Sequence, residues 1–340
     1  MTATITDVAR LAGVSMKTVS RVLNNEPNVT AKTRERVQAA AAELRYRPNL
    51  SARGLASSRK YLLALLYDNP SAEYIAAIQA GATEACRKRG FHLVVEPIRV
   101  PNGEISTELE VLLQRLPVDG VILTPPLSDM TELMDVFDDV KIPYVPIAPS
   151  ETTQANVPSV GMDDTLAAEE MTQYLISIGH KDIGFIIGAP DHSASGLRKN
   201  GFLNAMRDAG LDVPKNRILQ GDFSFASGKA CAQKLLAGAN HPTAIFASND
   251  DMAAAVLSVA GKKNISVPQN LSVVGFDDTA LAGVIWPPLT TIRQPIHDMG
   301  SRAARMLING VTKTTEDIPP LLLEHNIIVR ASTAPPARSS

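Results

Sequence analysis

The chain has 340 residues, of which 45 % are hydrophobic and 20 % charged, with 33 Lys and Arg against 35 Asp and Glu. These totals are typical of an ordinary soluble globular protein of two or three domains. No apolar run reaches the roughly 18 residues that a bilayer span requires, which speaks against a transmembrane chain. The N-terminus shows no signal peptide, and Cys86 and Cys231 lie in separate helix-like segments, so we expect a cytoplasmic protein with free thiols.

Positive charge is concentrated at the N-terminal end. Residues 1–60 contain eleven Lys and Arg and four Asp and Glu, a balance of +7, whereas the remainder carries −9. Such asymmetry indicates a segment that meets a polyanion and a body that does not. A solvated basic segment would show the same charge, so the balance alone leaves both interpretations open.

Three short helices are predicted in this basic segment. The first has Thr6 as its N-cap and runs to Gly13, and the second has Ser15 as its N-cap. The third starts near Thr30 and ends before Pro48, whose ring disfavours a helical residue in front of it. Two helices separated by a short glycine-containing turn, with a third behind them, are typical of a helix-turn-helix unit, whose second helix enters the DNA major groove.

The second predicted helix has a polar face opposite its Val and Leu stripe. Met16, Lys17, Ser20 and Arg21 would project from this face. Lys and Arg donate hydrogen bonds to guanine or to phosphates, and a Met side chain can contact a thymine methyl group. A three-helix packing unit with a solvated polar face is the alternative.

Residues 49–56 could form one more short helix, with Leu55 on the same face as Ala52. Eight residues are too few for a stable isolated helix, so its order would have to come from a partner. An apolar side chain beside Arg53, between two domains, suits a wedge in the DNA minor groove. A flexible linker is the alternative.

Residues 61–330 alternate strand-like apolar runs with helix-like segments. The runs lie at 61–67, 91–97, 120–125, 144–148, 182–188, 244–249 and 271–276. Short runs without strict alternation, separated by helices, predict parallel sheets covered on both faces. The length of this pattern indicates two α/β lobes rather than one.

Polar residues follow several of these runs. They are Asp68, Asn69, Asp163, Asp191, His192, Asn249, Asp250, Asp277 and Asp278. Ligands bind beyond the carboxyl ends of the strands in such sheets, and carboxylates and amides collected at one rim could hold the hydroxyl groups of a sugar. Each residue alone is better explained as a helix N-cap, but the set together favours a pocket.

Catalytic and metal-binding motifs are missing from the sequence. The six histidines show no metal-ligand spacing, and no GxSxG, GxGxxG or Walker A pattern occurs. His180 lies between a predicted helix and a predicted strand, where a role in a turn fits better than catalysis. We therefore expect no enzymatic activity, no metal and no cofactor.

Particular stretches resemble the lactose-repressor (LacI/GalR) family of bacterial transcription regulators. In the basic segment they are ITDVARLAGVSMKTVSRVLNN, TAKTRERVQAAAAELRYRPN and SARGLASS, and in the body HSASGLRKNGF, ASNDDMA, VVGFDDT and PPLTTIRQP. The resemblance implies a helix-turn-helix domain and hinge helix, followed by a two-lobed, periplasmic-binding-protein-like (type I) α/β effector domain. It also implies a sequence-specific regulator, expected to repress carbohydrate-utilisation genes, whose operator affinity a small sugar-like effector controls allosterically.

The resemblance implies DNA contacts residue by residue. Met16 and Lys17 take the main base-reading positions, although Met16 departs from the residues most expected there, and Leu55 takes the intercalating hinge position. The full expected set is Thr6, Ser15, Met16, Lys17, Thr18, Ser20, Arg21, Asn24, Asn49, Ala52, Arg53 and Leu55.

The effector contacts follow from the same resemblance. Arg198, Asn249 and Asp277 would hydrogen-bond the effector, and Phe223 would stack on it. An Arg–Asp pair with an Asn can serve adjacent hydroxyls as donor and acceptor together. The remaining positions expected close to the ligand are Tyr74, Asp163, His192 and Gln294.

The expected domains are a DNA-binding domain at 1–48, a hinge at 49–60, an effector-binding domain at 61–330 and a disordered tail at 331–340. Lobe one would comprise about 61–161 and 293–322, and lobe two about 162–291 and 323–330. A homodimer is expected because one helix-turn-helix reads few base pairs and symmetric half-sites require two-fold symmetry.

The expected partners are a roughly palindromic operator duplex and a mono- or oligosaccharide, with no membrane. An extracytoplasmic sugar-binding protein is the main alternative, which the missing signal peptide and the basic segment oppose. A sugar hydrolase is weaker still, since two acidic residues near a pocket are common without catalysis.

Overall fold

The computed structural model contains two compact units, Met1–Tyr61 and Leu62–Ser340. The residues it describes are 3–23, 29–46, 59–100, 105, 107–150, 153, 157–238, 240–311 and 321–337. Asn24 and the predicted hinge residues Asn49, Ala52, Arg53 and Leu55 lie outside these ranges, so their roles stay predictions. Within the described ranges, no helix combines the length and the apolar character that crossing a membrane requires.

The first unit is built from three helices. They are α1 (Ile5–Ala12), α2 (Met16–Leu23) and α3 (Ala31–Glu43). Their inner faces meet in a small aliphatic core that includes Val8, Val19, Val22 and Val37. The three predicted helices are therefore present, and their apolar spacing forms the core.

Side-chain caps fix where these helices begin. Ser15 caps α2 as predicted, and Thr30, near which the third helix was predicted to start, caps α3. The prediction that Thr6 caps α1 was wrong, because the cap is Thr4. The Thr4 side chain accepts from the backbone N–H of Asp7, and the Asp7 carboxylate accepts from the backbone of Thr4. This reciprocal capping box satisfies two backbone donors, which a single Thr6 hydroxyl could not do.

The second unit alternates strands and helices. Its strands are β1 (Leu62–Tyr67), β2 (His92–Pro97), β3 (Gly120–Leu123), β4 (Tyr144–Pro146), β5 (Val160–Met162), β6 (Ile183–Ile187), β7 (Ile218–Gln220), β8 (Ala244–Ala247), β9 (Ser272–Asp277), β10 (Thr290–Arg293), β11 (Leu321–Leu323) and β12 (Asn326–Ile328). Its helices are α4 (Ala72–Lys88), α5 (Thr107–Gln114), α6 (Thr131–Asp139), α7 (Asp164–Ser177), α8 (Ser193–Asp208), α9 (Phe225–Leu235), α10 (Asp250–Lys262), α11 (Ala280–Val284) and α12 (Ile296–Val311). Each predicted run coincides with a strand to within a few residues, which confirms the α/β class.

Two sheets divide this unit into two lobes. Lobe one holds the parallel sheet β2-β1-β3-β4, which a bridge between Ile147 and Val160 extends to the pair β5 and β11. Lobe two holds β12-β10-β9-β8-β6-β7, in which only β12 runs antiparallel to its neighbour. The chain therefore changes lobe after β5, after β10 and between β11 and β12.

Two glycines let α4 and α12 pack closely on lobe one. A Cβ at Gly81 would lie 1.9 Å from the carbonyl oxygen of His297, and a Cβ at Gly300 would lie 2.2 Å from that of Ile78. No real Cβ atom approaches an oxygen so closely, so only glycine permits this contact. The contact holds α12 on lobe one directly after the chain has crossed from lobe two.

The prediction of a disordered tail was wrong for residues 331–337. Ser332 is fully buried, and its Oγ donates to the carbonyl of Val273 at 2.6 Å and accepts from the backbone N–H of Thr290 at 2.8 Å. The Thr333 hydroxyl lies 2.9 Å from that of Tyr174. The hydroxyl groups that suggested disorder by composition therefore pair with β9, β10 and α7. Residues 338–340 lie outside the described residues.

His180 and the two cysteines are structural. The ring nitrogens of His180 lie 2.9 Å from Thr243 Oγ1 and 2.9 Å from Ser272 Oγ, and burial lowers the pKa of the imidazole. Cys86 and Cys231 are free and buried. His180 thus connects the segments of lobe two that contain Thr243 and Ser272.

Candidate functional site

The first unit presents the N-terminal end of α2 to solvent. Ser15, Lys17 and Arg21 are exposed, and the Met16 side chain is 53 % exposed. The Thr6 hydroxyl donates to the Met16 sulfur at 3.4 Å, so α1 and α2 contribute to one surface. We call this surface, formed by these five residues, the α2 surface.

Two further predicted DNA contacts lie beside the α2 surface. Thr18 and Ser20 are half-buried, and the Thr18 hydroxyl lies 2.9 Å from that of Ser15. Val19 and Val22 point the other way, into the core. A helix N-terminus with exposed cationic and small polar side chains is suited to phosphate oxygens and base edges.

The second unit contains a cavity between its lobes, about 420 Å³ including its opening to solvent. Residues from both lobes line it: Asn69, Ser71, Tyr74, Pro125, Ala148, His192, Ala194, Arg198, Phe223, Asn249, Asp277 and Gln294. Seven of the eight predicted effector residues are among them. We call it the interlobe cavity.

Arg198 is the central charged residue of the cavity. Its Nε donates to Asp164 Oδ1 at 2.8 Å and its Nη1 donates to the carbonyl of Ser248 at 2.6 Å. Nη1 also lies 4.0 Å from Asp277 Oδ1, and the guanidinium carbon lies 3.6 Å from the centre of the Phe276 ring. The guanidinium is therefore held in one orientation by two carboxylates, a carbonyl and an aromatic face.

Asp277 ends β9 and faces the cavity. Its Oδ1 accepts from Gln294 Nε2 at 2.5 Å, which connects β9 to the crossover after β10. Burial raises the pKa of Asp277 well above its usual range, although Arg198 opposes the shift. Among the described contacts its second oxygen is left to exchange a hydrogen bond with a ligand hydroxyl.

Phe223 supplies the aromatic wall. Its backbone is in the left-handed region, with φ of 68°, and its ring lies 5.2 Å from that of His192. A Cβ at Gly188 would come within 2.0 Å of this ring, so glycine at 188 makes room for it. A flat ring beside polar groups is suited to the C–H face of a sugar.

Asn249 holds Phe223 in place. Its Oδ1 accepts from the backbone N–H of Met252 at 3.0 Å, which caps α10, and its Nδ2 donates to the carbonyl of Phe223 at 2.9 Å. An amide has two donors and two acceptor lone pairs, so one of each is left for a ligand. The predicted effector contact is thus also a positioning residue.

Asp163 is not part of the cavity, which corrects its predicted position. It is exposed, and its Oδ1 accepts from the backbone N–H of Leu166 at 2.8 Å, as the N-cap of α7. The buried carboxylate is the next residue, Asp164, which pairs with Arg198. The start of α7 therefore turns the first carboxylate outward and the second inward.

Sequence reasoning missed Ser71. It precedes α4 as the N-cap, but its side chain makes no capping hydrogen bond. Ser71 Oγ is buried and makes no hydrogen bond of ordinary geometry in the described part of the chain. Its interaction with Asp251 of α10 nevertheless opposes the rise that burial causes in the pKa of that carboxyl. The only sequence signal was a serine ahead of a helix in the segment after β1.

Tyr74 and His192 are the titratable neutral groups of the cavity. Burial, reinforced by Asp277, raises the pKa of Tyr74 above its usual range. Burial lowers the pKa of His192 to about 4, so its imidazole is neutral near pH 7. Among the described residues, no group of three or more His, Cys, Asp or Glu is arranged to hold a metal ion.

An exposed helix-turn-helix surface and a polar cavity between two α/β lobes define a DNA-binding regulator that responds to a small molecule. A model described as bacterial regulatory proteins of the lacI family matches residues 4–49, and a model of the periplasmic binding protein-like domain matches residues 172–333. Catabolite control protein A of Priestia megaterium is 35 % identical over 339 residues, which cover 98 % of this chain and all of the relative. The chain belongs to the lacI family of bacterial transcription regulators.

Solved structures agree with this assignment. The complex of the transcriptional regulator CelR with cellobiose is 34 % identical, with a TM-score of 0.74, over 97 % of this chain and 99 % of that one. The lac repressor dimer bound to operator and the anti-inducer ONPF is 28 % identical, with a TM-score of 0.79, over 98 % of this chain and all of that one.

Proposed function

We propose that this chain is a cytoplasmic homodimeric repressor of carbohydrate-utilisation genes, without catalytic activity, whose operator affinity is controlled by a small sugar-like effector. The observation that carries the proposal is the interlobe cavity, in which the Arg198–Asp277 pair and the Phe223 ring face one space. Such a pair can form hydrogen bonds with hydroxyl groups, and the ring can stack on the apolar face of a sugar. The CelR structure with cellobiose supports this class of ligand.

The α2 surface would read the operator. Lys17 and Arg21 supply positive charge for phosphates or guanine, and Met16 supplies an apolar contact for thymine. Leu55 would act as the minor-groove wedge, in line with its predicted hinge position. The lac repressor structure, a dimer on operator, supports two-fold binding to a roughly palindromic duplex.

Effector binding would change the lobe arrangement. The lobes are joined where the chain changes sheets, and the cavity is lined from both sides. A ligand that contacts both lobes stabilises one lobe arrangement by its differential affinity, typically about 1–3 kcal/mol for such coupling. The paired chains would pass this change to the hinge and so to the operator.

The operator arm of the proposal is tested by selecting duplexes from a random pool with the full chain and measuring affinity by fluorescence anisotropy. We expect a palindromic consensus that binds at least about 100-fold tighter than scrambled DNA. Lys17→Ala should weaken binding about tenfold and lower its salt dependence. Lys262→Ala, an equally exposed lysine of the second unit, serves as the matched control and should change neither quantity.

Two outcomes would contradict the proposal. Equal affinity for scrambled and selected DNA would remove sequence-specific regulation. Sugar binding without any retention on DNA would instead identify a ligand-binding protein without a regulatory role.

A further inference from the structure

Two acidic side chains flank Arg198 at the interlobe cavity. Asp277 lines the cavity, and Asp164 pairs with Arg198 beside it. Among the described residues that line the cavity, only Arg198 carries a positive charge. This lining therefore offers a phosphate no cation other than Arg198.

The charge of Arg198 is already balanced within the protein. Asp164 lies 2.8 Å from Nε and Asp277 lies 4.0 Å from Nη1, and all three residues are buried. A second anion would have to compete with these carboxylates at low dielectric, where like charges repel strongly. Arg198 can donate a hydrogen bond to a ligand without attracting a net negative charge.

The groups left for a ligand are neutral donors and acceptors. Within the described residues the buried Ser71 hydroxyl has no hydrogen-bond partner, Tyr74 keeps its proton, and His192 is an uncharged imidazole. The carboxyl group of Asp277 can exchange a hydrogen bond with a ligand hydroxyl in either protonation state. Ligand hydroxyls satisfy all of these, whereas a phosphate group near pH 7 carries about two negative charges and mainly accepts hydrogen bonds.

A second hollow lies beside the cavity and contains one exposed cation. Arg99 lines it together with Asp68, Pro70 and Val100, and it shares Asn69 with the interlobe cavity. A long phosphorylated ligand could reach this cation from the interlobe cavity, so the test must include it.

We propose that the effector is an uncharged polyol and that the interlobe cavity discriminates against phosphate esters of the same sugar. The inference rests on the proposed control by a sugar-like effector and narrows its chemical class. The inference does not depend on operator binding, so the effector class and the proposed regulation of an operator can fail separately.

The test is isothermal titration of the full chain with matched pairs of neutral sugars and their phosphates. The probes are D-glucose and glucose 6-phosphate, D-ribose and ribose 5-phosphate, and cellobiose and its 6′-phosphate. We expect at least one neutral member to bind, and its phosphate to bind at least about 100-fold more weakly. A phosphate that binds as tightly as its parent sugar overturns the inference, and loss of that binding in Arg99→Ala would locate the reason.

A variant tests whether the acidic groups beside Arg198 cause the discrimination against phosphates. Asp164→Asn removes the carboxylate closest to Arg198, so the preference for the neutral member should fall about tenfold even where both members bind more weakly. Asp163→Asn, an exposed carboxylate outside the cavity, should leave the ratio unchanged. An unchanged ratio in Asp164→Asn overturns the electrostatic explanation, and the ratio in the unsubstituted chain can be measured whether or not the variant folds.

Failure of the inference and failure of the proposed function give different results. If none of the probes binds, the assignment to an uncharged polyol among them is overturned. Operator binding measured on the same preparation then decides separately whether the chain is a specific regulator.

Discussion

Several residues of the interlobe cavity face the ligand space and also stabilise the fold. Asn249 caps α10 and fixes Phe223, and Arg198 pairs with Asp164 while facing the cavity. Substitutions at these positions would lower stability and affinity together, which makes them poor probes of binding. Ser71 is different because its hydroxyl has no hydrogen-bond partner in the described structure.

Ser71→Ala should separate binding from stability. The change removes a buried hydroxyl that makes no capping hydrogen bond, so the free energy of unfolding without effector should stay the same or rise by up to about 1 kcal/mol. Effector affinity should fall about 3- to 10-fold because one ligand hydrogen bond is lost. Urea unfolding and isothermal titration measure the two quantities.

Ser159→Ala is the matched control for this variant. Ser159 Oγ is also buried and has no hydrogen-bond partner among the described residues, but Ser159 does not line the cavity. Its loss should leave effector affinity unchanged. Lower stability of Ser71→Ala with unchanged affinity would show that Ser71 is purely structural.

Elements of lobe two are connected through Asp250, at the start of α10. Its Oδ2 accepts from the backbone N–H of Thr279 at 2.8 Å and its Oδ1 accepts from the Thr291 hydroxyl at 2.7 Å. One carboxylate thus joins α10, the start of α11 and β10. Burial raises its pKa to about 7, although these hydrogen bonds oppose the shift.

The stability of lobe two should therefore depend on pH through Asp250. Because the folded-state pKa lies above the unfolded value of 3.8, the folded state holds one more proton between pH 4 and 7. The free energy of unfolding should fall as pH rises through this window, by at most about 1.4 kcal/mol per pH unit from this group. Urea unfolding at pH 5, 6 and 7 measures the slope.

Asp250→Asn should flatten that slope. The amide oxygen can accept from Thr279, and the amide nitrogen can donate to Thr291 once its hydroxyl turns. Asp298→Asn, an exposed carboxylate in the first turn of α12, should leave the slope unchanged. A slope that persists in Asp250→Asn would place its origin in other buried carboxylates.

The lobes of the whole effector unit are joined by hydrogen bonds at Asp129. This lobe-one carboxylate accepts from the backbone N–H of Ser150 at 2.6 Å in its own lobe. Across the cleft it accepts from the backbone N–H and the hydroxyl of Ser193, each at 3.0 Å, at the start of α8. A negative charge at a helix N-terminus is favourable, so this contact stabilises the observed lobe arrangement.

Asp129→Asn should weaken lobe closure. The amide cannot accept from every donor around it, because its nitrogen must face an N–H group. Effector affinity should fall about tenfold, and operator affinity without effector should stay within about twofold of wild type. Adding Ser193→Ala to Asp129→Asn should lower effector affinity little further, since both substitutions remove the same contact.

The control for this variant is Asp139→Asn, an exposed carboxylate at the end of α6, which should behave as wild type. Full additivity of Asp129→Asn and Ser193→Ala would show that the two residues act independently.

Local sequence determined most of the elements. The spacing of Val19 and Val22 predicted the buried face of α2, and the apolar runs predicted parallel strands because both faces of such strands are covered. The polar residues after the strands predicted the rim of the cavity. These signals depend only on neighbours along the chain, so one sequence was enough to find them. Family resemblance then identified seven of the eight expected effector residues as neighbours, which periodicity could not do.

Tertiary structure decided which of these residues meet. Asp163 and Asp164 are adjacent and chemically identical, and only the orientation of α7 against lobe two turns Asp164 toward Arg198. Ser71 became a candidate contact only because packing buries its hydroxyl at the cavity, where it makes no hydrogen bond of ordinary geometry with the described residues. Ser332 became ordered because β9 and β10 present backbone groups to it. Each of these outcomes depends on groups far apart in sequence, whose distances are set by the packing of both lobes.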